Sequence, residues 1–301
     1  GDLIHTMWLE FDVDVLTGKE LSVYDLIEKV TIEIGGTQVD RHTGDWLKIW
    51  QDLSTPAGKH AAIDRMTTCG EGKQKLRVPL SFWFCRDAGQ ALPLIALQYH
   101  EVKLSVNFTE KAKTGAVLKA SPSCKLWVDY VYLDTDERQR FARSAHEYLI
   151  EQVQHSGADK IESKEMKKVR LNFNHPVKEL VWVTRDVNDN RVDAVKSAKL
   201  QLNGHDRFSE RDGDYFSLVQ RHQYHTNGVP KTESGGLYVY SFALKPEELQ
   251  PSGSCNMSRI DHATLQMEIK DSTLATKADV YAVNYNVLRI KNGMGGLAYS
   301  N

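Results

Sequence analysis

Along most of the chain apolar residues alternate with polar ones, the period of a β-strand with one face in a core and the other in water. Leu9, Phe11, Val13 and Val15 are separated by Glu10, Asp12 and Asp14. The same spacing recurs in the first half at Ile32–Ile34, Leu76–Phe84, Val102–Phe108 and Leu126–Tyr132. The second half repeats it at Val169–Phe173, Leu180–Trp182, Leu200–Leu202, Tyr238–Leu244, Leu265–Ile269 and Val280–Ile290. Short strands divided by clusters of Gly, Pro, Asn and Asp predict packed antiparallel sheets rather than alternating strands and helices.

The pattern occurs twice. Thr31-Ile-Glu-Ile-Gly-Gly-Thr-Gln-Val-Asp-Arg41 is echoed by Lys199-Leu-Gln-Leu-Asn-Gly-His-Asp-Arg207. Each reads as a strand, a two-residue turn and Asp-Arg, and both Gly-Gly and Asn-Gly suit a tight hairpin whose central residues have positive φ. Downstream, Pro79–Phe82 is echoed by Tyr238–Phe242, and Val102–Phe108 by Ala263–Ile269, in the same order. Ordered echoes of this kind are the trace of a duplicated antiparallel sandwich. The expected fold class is therefore all-β, two consecutive sandwiches with few short helices. The first should occupy residues 1–136, a linker helix 137–145 and the second sandwich 146–301.

Helical spacing is confined to short stretches. Within Gly44–Leu53, Trp46, Leu47, Trp50 and Leu53 fall on one helical face, so their tryptophans read as core and not as a ligand box. Asp134–Ser144 is highly charged and opens with capping residues, which predicts a short connecting helix. The polar stretches Ser156–Lys168 and Gln220–Gly236 are expected to be exposed loops.

Composition narrows the partners. The 301 residues are 41% hydrophobic, enough for a sizeable core, and 38 basic against 40 acidic residues leave a net charge of -2. That balance gives no electrostatic reason to expect direct contact with nucleic acid or an anionic membrane. No run approaches the about 18 apolar residues of a membrane span, and Gly1-Asp2-Leu3-Ile4-His5 lacks the look of a signal peptide, so synthesis in the cytoplasm is expected. Cys69, Cys85, Cys124 and Cys255 are too widely spaced for a zinc or redox motif and read as free thiols.

Long motifs carry a resemblance. Ile34–His42, Val78–Arg86 and Ala91–Lys103 in the first half resemble the major capsid proteins of nucleocytoplasmic large DNA viruses. So do Trp127–Tyr130, Leu133–Thr135, His146–Gln152, Leu171–Pro176, Gln250–Gly253, Ser258–Asp261, Asn284–Ile290 and Gly295–Asn301, with a phycodnavirus, iridovirus and mimivirus-like flavour. The resemblance implies two jelly-rolls per chain and a homotrimeric, pseudo-hexagonal capsomer. It further implies contact with neighbouring capsomers and minor capsid proteins, and an icosahedral shell close to an internal viral membrane. Against the family's pattern two opening strands are missing: His146–Gln154 and Val169–Phe173 have no counterparts in the first half. A sandwich lacking strands exposes sheet edges that invite pairing.

Candidate chemistry is sparse. His222 and His225, with His205 upstream, form a possible metal set, but no acidic third ligand follows at a suitable spacing and the segment reads as loop. Tyr99-His100-Glu101 places neighbouring strand residues on opposite faces, which favours a structural histidine over an acid–base pair. Gly293-Met-Gly-Gly296 is not followed by Lys-Ser or Lys-Thr, and no Gly-x-Ser-x-Gly elbow is present. Asn107 and Asn256 stand in N-x-S/T sequences, but without a secretion signal host N-glycosylation is not expected. No catalytic, cofactor-binding or metal-binding residue is therefore assigned, and no cofactor. A minor capsid paralogue, a carbohydrate-binding double jelly-roll and a glycan amidase remain as alternative functions.

Overall fold

The computed structural model describes residues 1–112, 117–161, 166–227, 235–270 and 275–300. The first half supplies β1 (Leu3–Val15), β2 (Ile27–Ile34), β3 (Thr37–Thr43), β4 (Gly72–Pro79), β5 (Val102–Phe108) and β6 (Ser123–Val131). The second supplies β7 (His146–Lys160), β8 (Lys167–Arg170), β9 (Pro176–Arg185), β10 (Val195–Leu202) and β11 (Leu237–Ser241). It ends with β12 (Ala263–Ile269), β13 (Lys277–Lys291) and β14 (Met294–Leu297). Helices are α1 (Gly44–Ser54), α2 (His60–Thr67), α3 (Thr135–Arg143) and α4 (Gln220–Tyr224).

The sheets are antiparallel, and apart from a short ribbon of Leu21–Ser22 with Thr68–Cys69 they come in two pairs among the described residues. One pair orders β4–β1–β6 and β3–β2–β5; the other orders β11–β9–β13–β7, with β14 beside β13, and β8–β12–β10 followed by the short strand His205–Asp206. Both predicted hairpins form. Gly35 and Gly36 take φ of 57° and 79° between paired Ile34 and Thr37, and Asn203 and Gly204 take 50° and 81° between Leu202 and His205. Positive φ at both central residues matches the strand twist, so turn chemistry sets the register.

Two compact units emerge, one of residues 1–51, 58–152 and 286–300, the other of 52–57 and 153–285. The first buries Phe11, Val30, Ile32, Val78, Phe82 and Phe84 in one cluster, with Leu288 and Ile290 from the far end of the sequence. The second centres on Trp182, whose ring lies 5.2 Å from Phe216 and 5.7 Å from Tyr238. Such aromatic pairs add about 0.5–1.5 kcal/mol each beyond the area they bury. The Tyr238 hydroxyl accepts from the Val195 N–H at 3.1 Å and donates to Asp193 at 2.7 Å, while burial pushes its pKa up. The expected linker stretch carries α3, where Asp134 accepts from the Glu137 N–H at 2.8 Å in a reciprocal capping box.

Five expectations need correction. The strand expected over Leu76–Phe84 ends at Pro79, and Trp83–Arg86 forms a helical turn, because Leu80, Phe82, Trp83 and Phe84 all enter the core and leave no solvent face to alternate with. The strands expected to reach Phe173 and Leu244 end at Arg170 and Ser241. Of the loop expected at Ser156–Lys168, Ser156–Lys160 continue β7 and Lys167–Lys168 begin β8; residues 162–165 lie outside the described residues. Of the loop expected at Gln220–Gly236, Gln220–Tyr224 is α4, whose Gln220 and Arg221 are buried; residues 228–234 lie outside the described residues. Polarity misleads at these places because Gln220 finds hydrogen-bond partners in Tyr215 and Ser241 inside the fold, and Ser156–Lys160 extend a long strand.

Candidate functional site

The histidines singled out by spacing part company in space. His205 and His222 are exposed, whereas the His225 side chain is fully enclosed, which corrects the reading of its segment as a solvated loop. α4 ends at Tyr224 and the chain turns extended at His225, aiming the imidazole inward. Its Nδ1 lies 2.9 Å from Glu247 Oε1, and its Nε2 lies 2.9 Å from Glu179 Oε2 on β9, an ion-pair contact off the line of an aligned hydrogen bond. Burial alone disfavours the imidazolium, but the charges and hydrogen bonds of Glu179 and Glu247 outweigh it and hold the pKa up at about 9. With both ring nitrogens committed to carboxylates, the imidazole has no lone pair for a metal. Among the described residues no group of three or more His, Cys, Asp or Glu is arranged to hold one.

Other buried charges are consumed locally. Asp279 on β13 faces His155 Nε2 at 2.9 Å and Arg185 Nε at 3.3 Å, so its pKa, raised by burial, ends below the ordinary carboxylate value. Arg86 pairs with buried Glu151, and its guanidinium carbon stacks 4.0 Å over Trp50. Arg191 meets Asp52 at 2.6 Å, and Arg221 is enclosed with its guanidinium unpaired; burial pushes it down to about 10, opposed by Asp52.

The remaining sequence candidates are structural. His100 Nδ1 lies 2.9 Å from the Gly295 carbonyl oxygen and 3.1 Å from the Gly295 N–H, pinning the loop before β5 to β14, while Glu101 is exposed. Asn292 and Gly293 form the positive-φ turn of the β13–β14 hairpin, with φ of 54° and 78°. Asn107 lies exposed on β5, and the Asn256 side chain accepts from the Ser258 N–H at 3.2 Å. All four cysteine thiols are free, and burial raises the Cys85 thiol to about 12, far from a reactive thiolate.

What the molecule presents instead is apolar surface within the first unit. Phe108, Leu126, Trp127 and Tyr130 are each more than two-fifths exposed, and Tyr99 and Tyr132 are 76% exposed. An open groove of about 610 Å³ lies between β5 and β6, lined by Leu104, Val106, Phe108, Cys124 and Leu126. Exposed apolar area of this kind marks contact surfaces. A sequence signal for it existed: in Leu126-Trp127-Val128-Asp129-Tyr130-Val131 apolar side chains stand on both faces of the strand, interrupted on one of them by Asp129.

Comparison with known proteins agrees with this architecture. The family model described as large eukaryotic DNA virus major capsid protein matches residues 137–296, and the model described as major capsid protein N-terminus matches 1–134. The major capsid protein of Pyramimonas orientalis virus is 47% identical, covering all of this chain and 84% of the relative. That of Paramecium bursaria Chlorella virus 1 is 39% identical, covering all of this chain and 86% of the relative. In a quasi-atomic structure of the PBCV-1 virus capsid, a chain 35% identical superposes with a TM-score of 0.90, covering 100% of this chain and 91% of that one. Two sandwiches of the same strand order thus find their explanation: the chain belongs to the family of large eukaryotic DNA virus major capsid proteins, double jelly-rolls that build the shell of the virion.

Proposed function

We propose that the chain acts as a homotrimer with a pseudo-hexagonal outline that tiles an icosahedral shell. The single observation that carries this reading is the duplication, in which β4–β1–β6 and β3–β2–β5 recur as β11–β9–β13 and His205–Asp206–β10–β12. Two similar sandwiches per chain give six per trimer, so three-fold chains fill six-fold lattice positions with closed symmetry. Residues 1–136 and 146–301 are the duplicated halves in this reading, and 137–145 their linker. Trimer contacts bury roughly 2,000 Å² or more in total, as obligate interfaces do. Capsomers then meet neighbouring capsomers and minor capsid proteins, near an internal viral membrane, after synthesis in the host cytoplasm. The chain performs no catalysis in this role and makes no direct contact with the genome.

Light scattering of the purified protein tests the reading. The expected mass is three times that of one chain, with hexagonal particles in electron micrographs. A monomer at every concentration, with measurable affinity for glycans or turnover of them, would falsify the trimeric shell role.

A further inference from the structure

Two hairpins turn on the same dipeptide, and the fold treats them differently. Asn203-Gly204 joins β10 to the strand at His205–Asp206, and Asn292-Gly293 joins β13 to β14. Both turns have positive φ at both residues, so local sequence and backbone conformation give them equal standing. Their surroundings do not. The Asn203 carboxamide is fixed: its Oδ1 accepts from the Asp261 and His262 N–H groups, each at 3.0 Å, and its backbone N–H donates to the His262 carbonyl at 2.7 Å. Asn292 is exposed, and among the described residues neither its carboxamide nor the Gly293 N–H makes a hydrogen bond.

We propose that Asn292 is a site of spontaneous modification, converting to isoaspartate and thereby loosening β14 from the first unit, while Asn203 is preserved. The Gly293 nitrogen attacks the side-chain carbonyl carbon of Asn292. A new C–N bond forms, the carboxamide C–N bond breaks, and ammonia leaves carrying the glycine proton. Water then opens the cyclic imide at either carbonyl, giving aspartate by one cleavage and isoaspartate by the other. Glycine has no side chain to obstruct the attack, and an exposed, unbonded carboxamide rotates readily toward it. At Asn203 two hydrogen bonds must break before the same rotation. The products differ in effect. Aspartate tolerates the left-handed turn, but isoaspartate routes the backbone through the former side chain and adds a methylene to a two-residue turn, so the Lys291–Met294 pairing slips. β14 has no slack for this: a methyl on Gly295 would overlap Leu97, the Gly293 carbonyl accepts from the Tyr99 N–H at 2.9 Å, and Leu297 packs on the first core.

Storage of the purified protein at mildly alkaline pH, followed by peptide mass spectrometry and enzymatic methylation of isoaspartate, tests the site. Asn292 is expected to convert faster than Asn203 by about tenfold or more. In the aged fraction the amides of β14 and of residues 99–101 exchange faster while those of β9 keep their rates. Asn292→Gly, which repeats the turn chemistry of Gly35-Gly36, abolishes both changes. Equal conversion at the two asparagines overturns the proposal, as does an intact Asn292 under conditions that convert a free peptide of the same sequence. So does isoaspartate at position 292 with the exchange of β14 unchanged.

Discussion

His225 shows how one side chain changes the electrostatics of a half. Truncating it leaves Glu179 without its His225 partner in a site with no exposure, and breaking a buried pair from one side costs about 3–5 kcal/mol. His225→Ala should lower the midpoint of urea unfolding by that margin. His225→Gln combined with Glu179→Gln should cost less, because no charge is stranded, and a double-mutant cycle measures the difference. The pH dependence has a definite sign. The folded protein holds the His225 proton up to about 9 against an ordinary 6.5, so this contribution is complete below pH 6.5 and is lost as pH rises through 9. Glu247, depressed below its ordinary 4.5, contributes above that value and loses its contribution as pH falls. Unfolding midpoints across pH 4 to 10 should therefore decline on the alkaline side in the native chain and stay flatter there in His225→Ala. Arg221 is the opposite case, an enclosed cation without a hydrogen-bond partner. Arg221→Met should raise stability by about 1 kcal/mol or more, read as a higher Tm. None of this was legible from sequence, because Glu179 and Glu247 lie far along the chain from His225 and only the fold brings them together.

Elements were legible where local chemistry dictates them. The Gly35-Gly36 and Asn203-Gly204 turns announce themselves because few other residues take positive φ cheaply, and Asp134 with Glu137 spells a capped helix start. Asp134→Ala should remove the cap and cost about 1 kcal/mol, seen as faster amide exchange at the start of α3. Gly204→Ala has open space around its added methyl but keeps φ at 81°, so about 1 kcal/mol is lost to backbone strain alone, measurable in the same unfolding assay. Strand ends were less legible. Leu80–Phe84 keeps the apolar spacing of β4 after the strand has ended, since core residues in an irregular segment show the same composition as a strand. Continuation of β7 through Ser156–Lys160 was hidden for the converse reason, its polar side chains masking paired backbone.

At the scale of the molecule the duplication was legible, because strand order survives when side chains diverge. The cores it builds are separate clusters, one around Phe11, Ile32 and Phe82, the other around Trp182, Leu200 and Met267. Stability should divide accordingly: in His225→Ala, amide exchange in β9, β10 and β12 should quicken while β1 and β2 keep their native rates. The mixed membership of the first unit has a consequence for biogenesis. Its interior needs Leu288 and Ile290, and β14 brings Gly295 up against Ile34 and Leu97. At ribosomal speeds those residues emerge roughly ten seconds or more after residue 152. A nascent chain therefore carries an unsealed first sandwich until Leu288, Ile290 and Gly295 have emerged, and premature joining to other subunits is disfavoured until then.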